Sequence, residues 1–189
     1  MTKGRLVATS PHRRAAKTAE EIGADAAIVI CDPGTGPETL PRLHDIDVTV
    51  LAFDDVDHED ADCGQPFSQQ DARRVLEALY ASRQGVVVTC PGGVSRSAAI
   101  ACALWAAGLA EATDKPFGRN AANAFTCPNR LVFDTCVNTW GTKLDQRWVD
   151  DMFKRNVHEH LVATTDDREP PTFTANAEAT ETAVMAMTP

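Results

Sequence analysis

Hydrophobic positions alternate along the chain between short unbroken runs and longer stretches with helical spacing. Residues 4–9 (GRLVAT) and 48–53 (VTVLAF) are strand candidates, and 26–31 (AAIVIC) is a compact β-rich run that predicts a buried strand. Residues 85–89 (GVVVT) lack polar alternation, as expected in the middle of a parallel sheet. Residues 15–22 have helical spacing, with Ser10 and Pro11 as a fair N-cap and first-turn pair and Gly23 as the stop. Residues 69–82 place Val75, Leu76, Leu79 and Tyr80 on one helical face. Residues 98–109 are Ala-rich and nearly free of polar side chains, which predicts a buried helix. Residues 120–160 read as two or three further helices, broken at Pro128 and Gly141. This order predicts an α/β domain: a central, mostly parallel sheet flanked by helices on both faces, with the site at the carboxyl end of strand 86–89.

The pattern stops near residue 162. The remainder, 163–189, is Ala/Thr/Glu/Pro-rich, and five carboxylates face the single Arg168 there. Such a segment buries too little apolar surface to offset its ordering entropy, so a folded unit of 1–162 and a disordered acidic tail are expected. A chain of 189 residues suits that division. No apolar run approaches the roughly 18–20 residues that span a bilayer. The opening residues MTKGRLVATSPHRR also lack the apolar stretch of a secretory signal. A cytoplasmic protein is therefore expected, with its six cysteines (31, 63, 90, 102, 127, 136) as thiols. The net charge of -9 argues against a surface that wraps nucleic acid, although a local basic site could still take a phosphate.

Candidate chemistry is concentrated in residues 86–105, VVVTCPGGVSRSAAIACALW. A buried strand runs into a glycine-containing loop, Cys90 to Ser95, and a helix starts near Arg96. A loop at a helix N-terminus aims several backbone N–H groups, and the positive end of the helix dipole, at one spot. The N–H groups of Pro91's successors, Gly92, Gly93, Val94, Ser95 and Arg96, could hold an anion such as phosphate, with Gly92 and Gly93 letting the backbone curl. At the bottom of this cradle the same donors would stabilise the Cys90 sulfur as a thiolate. Arg96 offers a planar fork matched to two phosphate oxygens. The Ser97 hydroxyl can donate to sulfur and ease its departure. Together these parts suit attack of sulfur on phosphorus.

Cys90-Pro91-Gly92-Gly93-Val94-Ser95-Arg96-Ser97 resembles the C-x-x-G-x-x-R-S loop of cysteine-dependent protein tyrosine and dual-specificity phosphatases, with likeness greatest to small bacterial phosphatase-like proteins. Residues 51–56 (LAFDDV) resemble the strand end where that family carries its general-acid aspartate, and Pro128-Asn129 resembles a downstream Pro-Asn pair. The resemblance spans roughly residues 45–140. It implies a phosphatase-like fold and hydrolysis of phosphotyrosine, with phosphoserine and phosphothreonine as additional candidates, through a cysteinyl-phosphate. It also implies no metal and no cofactor, and a phosphorylated protein or small phosphate ester as partner. By that resemblance Cys90 is nucleophile, Asp55 general acid, Arg96 and the 91–96 backbone the phosphate cradle, and Ser97 the donor to sulfur. Asp54, Asp57 and Asp60 are the alternatives to Asp55. One position departs: Thr89 stands where the family usually has histidine.

Three other readings compete. A pseudophosphatase would bind phosphate without turning it over. An arsenate reductase or rhodanese-like enzyme would share C-x5-R without needing Asp55, and the reductase would need a resolving thiol, for which Cys31 or Cys63 would have to serve. Cys102 is expected to be core, and the remaining cysteines show no metal-ligand spacing. His58, His158 and His160 read as surface residues, and the three tryptophans as packing residues.

Overall fold

A computed structural model describes residues 5–57, 64–112 and 128–159, with side chains described to residue 154. The expectations for the tail, Asp60, Cys63, Cys127, His58 and His160 lie outside these residues, as does the side chain of His158. Five parallel strands form one sheet in the order β3-β2-β4-β1-β5: β1 Leu6–Pro11, β2 Ala26–Cys31, β3 Asp47–Ala52, β4 Gly85–Cys90 and β5 Glu111–Ala112. Five α-helices accompany them among the described residues: α1 Ala15–Ile22, α2 Gln69–Ala81, α3 Arg96–Ala106, α4 Arg130–Thr139 and α5 Gln146–Glu159.

Strand β4 lies between β2 and β1 and is fully buried, which is why its residues need no polar alternation. Alternate residues still serve different layers. Val86, Val88 and Cys90 pack with Ala72, Leu76 and Leu79 of α2, with α3, and with Phe133 of α4. Val87 faces the other way, with Ala27, Val29 and Ala19 of α1, and Leu40, Leu43 and Ile46 complete that layer. Helices thus cover both faces, as the hydrophobic pattern predicts. The burial of Val75, Leu76 and Leu79 follows from their helical spacing, and Ser68 starts that helix with a capping box to Asp71. Helix α3 is buried along nearly its whole length, so its alanines permit close approach to the sheet and to α4. Trp140 closes the core and donates its indole N–H to the Ala72 carbonyl at 2.9 Å.

Two local expectations need correction. Residues Ser10 and Pro11 do not cap a helix; strand β1 continues through them, pairing Ser10 with Thr89 and Pro11 with Cys90. A 3-10 turn at His12–Arg14 then leads into α1, which has no side-chain cap. The buried apolar helix also ends at Ala106 rather than 109, with Gly108 in the left-handed conformation. Gly23 terminates α1 in the left-handed conformation, as its position implies.

All the strands run in parallel, so the carboxyl ends of β1, β2, β3 and β4 lie along one edge of the sheet. Their exits deliver His12, Asp32, the segment Phe53–Asp57 and the Cys90 loop to that edge. No helix among the described residues is long and apolar enough to cross a membrane.

Candidate active site

Cys90 is the last residue of β4 and is 3% exposed. Its sulfur receives the Gly93 backbone N–H at 3.2 Å and lies 3.2 Å from the Ser97 hydroxyl, which is fully buried in the first turn of α3. The loop therefore folds around the sulfur itself. Gly93 has φ of 71°, and a Cβ there would lie 2.4 Å from the Pro11 nitrogen and 2.6 Å from the Ser10 carbonyl carbon. Only glycine fits, because the loop backbone rests directly on the end of β1. Gly92 does not share that requirement: a Cβ there would meet open space, and its φ is not positive. The curl expected of both glycines belongs to Gly93 alone.

Arg96 opens α3, and its side chain is only 7% exposed. Its Nη1 donates to Asp32 Oδ1 at 2.6 Å and to the Phe53 carbonyl at 2.8 Å. The guanidinium carbon sits 5.9 Å from the centroid of the Phe53 ring, which is itself braced edge-on by Phe67 at 4.8 Å. These contacts hold the fork in place through one nitrogen. The Nε is buried and has no hydrogen-bond partner among the described residues. Its nearest carboxylate oxygen is Asp55 Oδ2 at 3.8 Å, too far for a hydrogen bond. A buried guanidinium donor left in this condition is costly unless an anion accepts from it.

The acidic segment after β3 divides its carboxylates between two tasks. Asp54 turns away from the Cys90 loop: its Oδ2 accepts the Gln65 N–H at 2.7 Å, and its own N–H donates to the Gln65 carbonyl at 2.8 Å. Asp55 turns toward the loop, where its Oδ1 accepts from Ser95 Oγ at 2.7 Å and from Asn129 Nδ2 at 2.9 Å. Its side chain remains 40% exposed. Successive residues of an extended segment face opposite ways, so adjacent aspartates are separated by backbone geometry alone.

Of three further residues at the site, Asp32 and His12 carry no sequence signal that points there, whereas Asn129 belongs to the Pro-Asn pair of the resemblance. Asp32 reads as part of a turn, DPGTGP, yet it is the carboxylate that holds Arg96. Its position directly after a buried strand parallel to β4 is the only available hint. His12 follows β1, and a ring nitrogen bonds the Ile30 carbonyl at 2.9 Å. Burial, assisted by the Arg96 charge, pulls this imidazole below its ordinary range against the opposing pull of the Ile30 carbonyl and Asp32. Asn129 caps α4 and joins it to the Asp55 segment. At the departing position, Thr89 is fully buried and donates its hydroxyl to the Ser10 carbonyl at 2.8 Å. Thr89 and His12 thus tie together the exits of β1, β2 and β4.

The other described cysteines are of a different kind. Burial pushes the Cys102 thiol up to about 12 and raises Cys136 well above its ordinary range, with Asp71 adding to the latter. Cys31 is raised by burial and then by Asp32, and its sulfur faces the Leu51 carbonyl at 3.8 Å. By strand alternation it lies on the face of Val29 and Ala27, opposite the face that carries Cys90. That placement disfavours Cys31 as a resolving thiol. No group of three or more metal-ligating side chains occurs among the described residues.

Comparison with solved structures finds the chain similar to tyrosine and dual-specificity phosphatases. Human DUSP28 matches with a TM-score of 0.39 and 14% identity, over 79% of this chain and 90% of that one. Tk-PTP in the active form matches with a TM-score of 0.35 and 16% identity, over 82% and 93%. The Yvh1 phosphatase domain from Chaetomium thermophilum matches with a TM-score of 0.36 and 17% identity, over 82% and 88%. No family model and no curated protein matches the chain.

Proposed function

We propose that this protein is a cysteine-dependent phosphatase that hydrolyses phosphotyrosine, with phosphoserine and phosphothreonine as additional candidates, through a cysteinyl-phosphate. The observation that carries this reading is the buried Arg96 Nε, which has no hydrogen-bond partner among the described residues, on the same loop whose Gly93 N–H meets the Cys90 sulfur. A tetrahedral phosphoryl group supplies an acceptor for that donor and an electrophile for that sulfur. Its remaining oxygens would meet backbone N–H groups of residues 92–96 at the positive end of α3.

In the first step the Cys90 thiolate attacks phosphorus. The S–P bond forms as the ester P–O bond breaks, and the Asp55 carboxyl gives its proton to the departing oxygen. In the second step the Asp55 carboxylate takes a proton from water as that water attacks phosphorus. The S–P bond breaks, sulfur leaves with the help of the Ser97 hydroxyl, and inorganic phosphate is released. Arg96 stays fixed by Asp32 and Phe53 while its Nε side engages the equatorial oxygens throughout. Asp55 is favoured over Asp54 because Asp54 is already committed to Gln65.

Rapid mixing of the protein with an aryl phosphate, followed by acid quench, should trap phosphate on Cys90, and Cys90→Ser should trap none. Absence of hydrolysis at every pH between about 5 and 8 would end the phosphatase reading. An unchanged rate in Asp55→Ala would end only the acid assignment.

A further inference from the structure

The strand order lays charge out in a line across the site. Along the carboxyl edge of the sheet the exits run β3, β2, β4, β1. The first two deliver acids: Asp54, Asp55 and Asp57 after β3, and Asp32 after β2. The Cys90 loop comes next, and beyond it the β1 exit delivers His12, Arg13 and Arg14. The entrance to the loop is thus acidic on one flank and basic on the other. Register fixes how near the basic flank lies. Pro11 pairs with Cys90, and Gly93 packs directly on the end of β1. Adjacent strands are about 5 Å apart and a 3-10 turn rises about 2 Å per residue, so the backbone of Arg13 and Arg14 lies on the order of 10 Å from that of Cys90. That is roughly one Debye length at physiological salt, near enough for their charge to act on whatever the loop holds.

Nothing among the described residues accounts for these two arginines. Both are exposed, and neither side chain has an ion-pair or hydrogen-bond partner there. They stand at the amino end of α1, where the helix dipole disfavours cations, and no acid in the first turn offsets them. The rest of α1 is charged in the same reversed sense. Glu20 and Glu21 occupy its carboxyl end, and Lys17 meets Glu21 at 3.8 Å in the weaker i,i+4 order. Helix stability therefore gains nothing from this charge order, whereas an anion arriving from outside would. The scissile phosphate has its own donors in Arg96 and the loop N–H groups, so the anion for Arg13 and Arg14 is a second one. Building on the phosphatase reading above, we propose that Arg13 and Arg14 form a subsite for carboxylate side chains on one side of the phosphotyrosine in a peptide substrate. The aspartates of the opposite flank repel such side chains, so the peptide is selected by a charge gradient along its length, acidic over β1 and neutral or basic over β2 and β3.

Matched phosphotyrosine peptides test this: one with neutral flanks, one with Asp and Glu only before the phosphotyrosine, and one with them only after it. In the wild type one acidic peptide, and not the other, should exceed the neutral peptide in kcat/KM by about tenfold. Raising NaCl from about 0.05 M to about 0.5 M should bring that ratio to within about twofold. Arg13→Gln/Arg14→Gln should do the same at low salt, and Arg13→Glu/Arg14→Glu should push the ratio below one. An equal gain on both acidic peptides, a ratio indifferent to salt, or one that survives the double Gln substitution overturns the proposal. Should a variant fail to fold, the one-sidedness and salt response of the wild type still decide it. A wild type that hydrolyses all three peptides equally overturns this inference and leaves the phosphatase reading standing. A wild type inert toward these peptides and toward 4-nitrophenyl phosphate overturns the parent reading, and this one with it.

Discussion

The two ends of β4 are built around the same physical problem and solve it oppositely. At the amino end, the backbone of Arg83, Gln84 and Gly85 and the Ser82 hydroxyl converge on Asp25, at distances from 2.6 to 3.3 Å. Partial burial works against its charge, but these donors prevail and hold the Asp25 carboxyl at about 2. At the carboxyl end, the Gly93 N–H meets the Cys90 sulfur, and the buried Arg96 Nε has no hydrogen-bond partner among the described residues. One end satisfies its donors with an anion from within the chain and so fastens β4 to the turn before β2. The other keeps a donor in reserve and is suited to an anion from outside. On the proposed function, stability and chemistry fall to opposite ends of one six-residue strand.

The sharpest way to break that contrast is Cys90→Ser. It should abolish turnover, a loss of roughly 10⁴-fold or more in kcat, while the unfolding midpoint stays nearly unchanged. Gly93→Ala comes next. The added methyl meets the backbone of Ser10 and Pro11, so a loss of about 100-fold in kcat/KM is expected, together with about 1–3 kcal/mol of stability measured by urea denaturation. Asp32→Asn should have a smaller effect, because Arg96 Nη1 retains the Phe53 carbonyl. A rise of about tenfold in KM for aryl phosphate, with kcat less affected, is the expected split.

At the amino end the signature reverses. Asp25→Asn should leave kcat/KM within about twofold and cost roughly 1–2 kcal/mol of stability, an amount already reduced for solvent screening. The sign follows from linkage. A carboxyl depressed in the folded state stabilises the fold above its unfolded value near 3.9, and that contribution disappears as pH falls toward about 2. Wild-type stability should therefore drop across this window through Asp25, and the Asn variant should show a shallower fall in thermal melts over the same range. A loss of activity in Asp25→Asn at neutral pH would erase the distinction between the two ends.

The strands and helices near the site are legible because burial on both faces leaves a direct trace in residue type. AAIVIC coincides with β2, and the helical spacing after Ser68 coincides with α2 to within a residue. The Cys90 loop is legible because its chemistry depends on local spacing, seven residues from sulfur to Ser97 on one strand–loop–helix unit. Short-range rules fail where a tertiary contact takes over. Ser10 and Pro11 look like a helix start, yet pairing with Thr89 and Cys90 draws them into the sheet. Gly92 and Gly93 look equivalent, and only the approach of β1 separates them.

Asp32 and His12 belong to a further class. An Asp in a turn and a His after a strand are common everywhere, and nothing in their neighbours distinguishes them; Asn129 stands out only through the Pro-Asn pair. All three matter because parallel pairing of β1, β2 and β4 brings three strand exits to one edge, and because α4 packs against α3 beside that edge. Local composition and spacing are enough to specify which residues are buried and where a cysteine and an arginine share one loop, and hence to suggest the chemistry proposed above. The partners that hold that guanidinium and the Asp55 carboxylate lie 64 and 74 residues away along the chain, from Arg96 to Asp32 and from Asp55 to Asn129. A hydrogen bond acts over about 3 Å and has no range along sequence, so only the folded arrangement could select those residues.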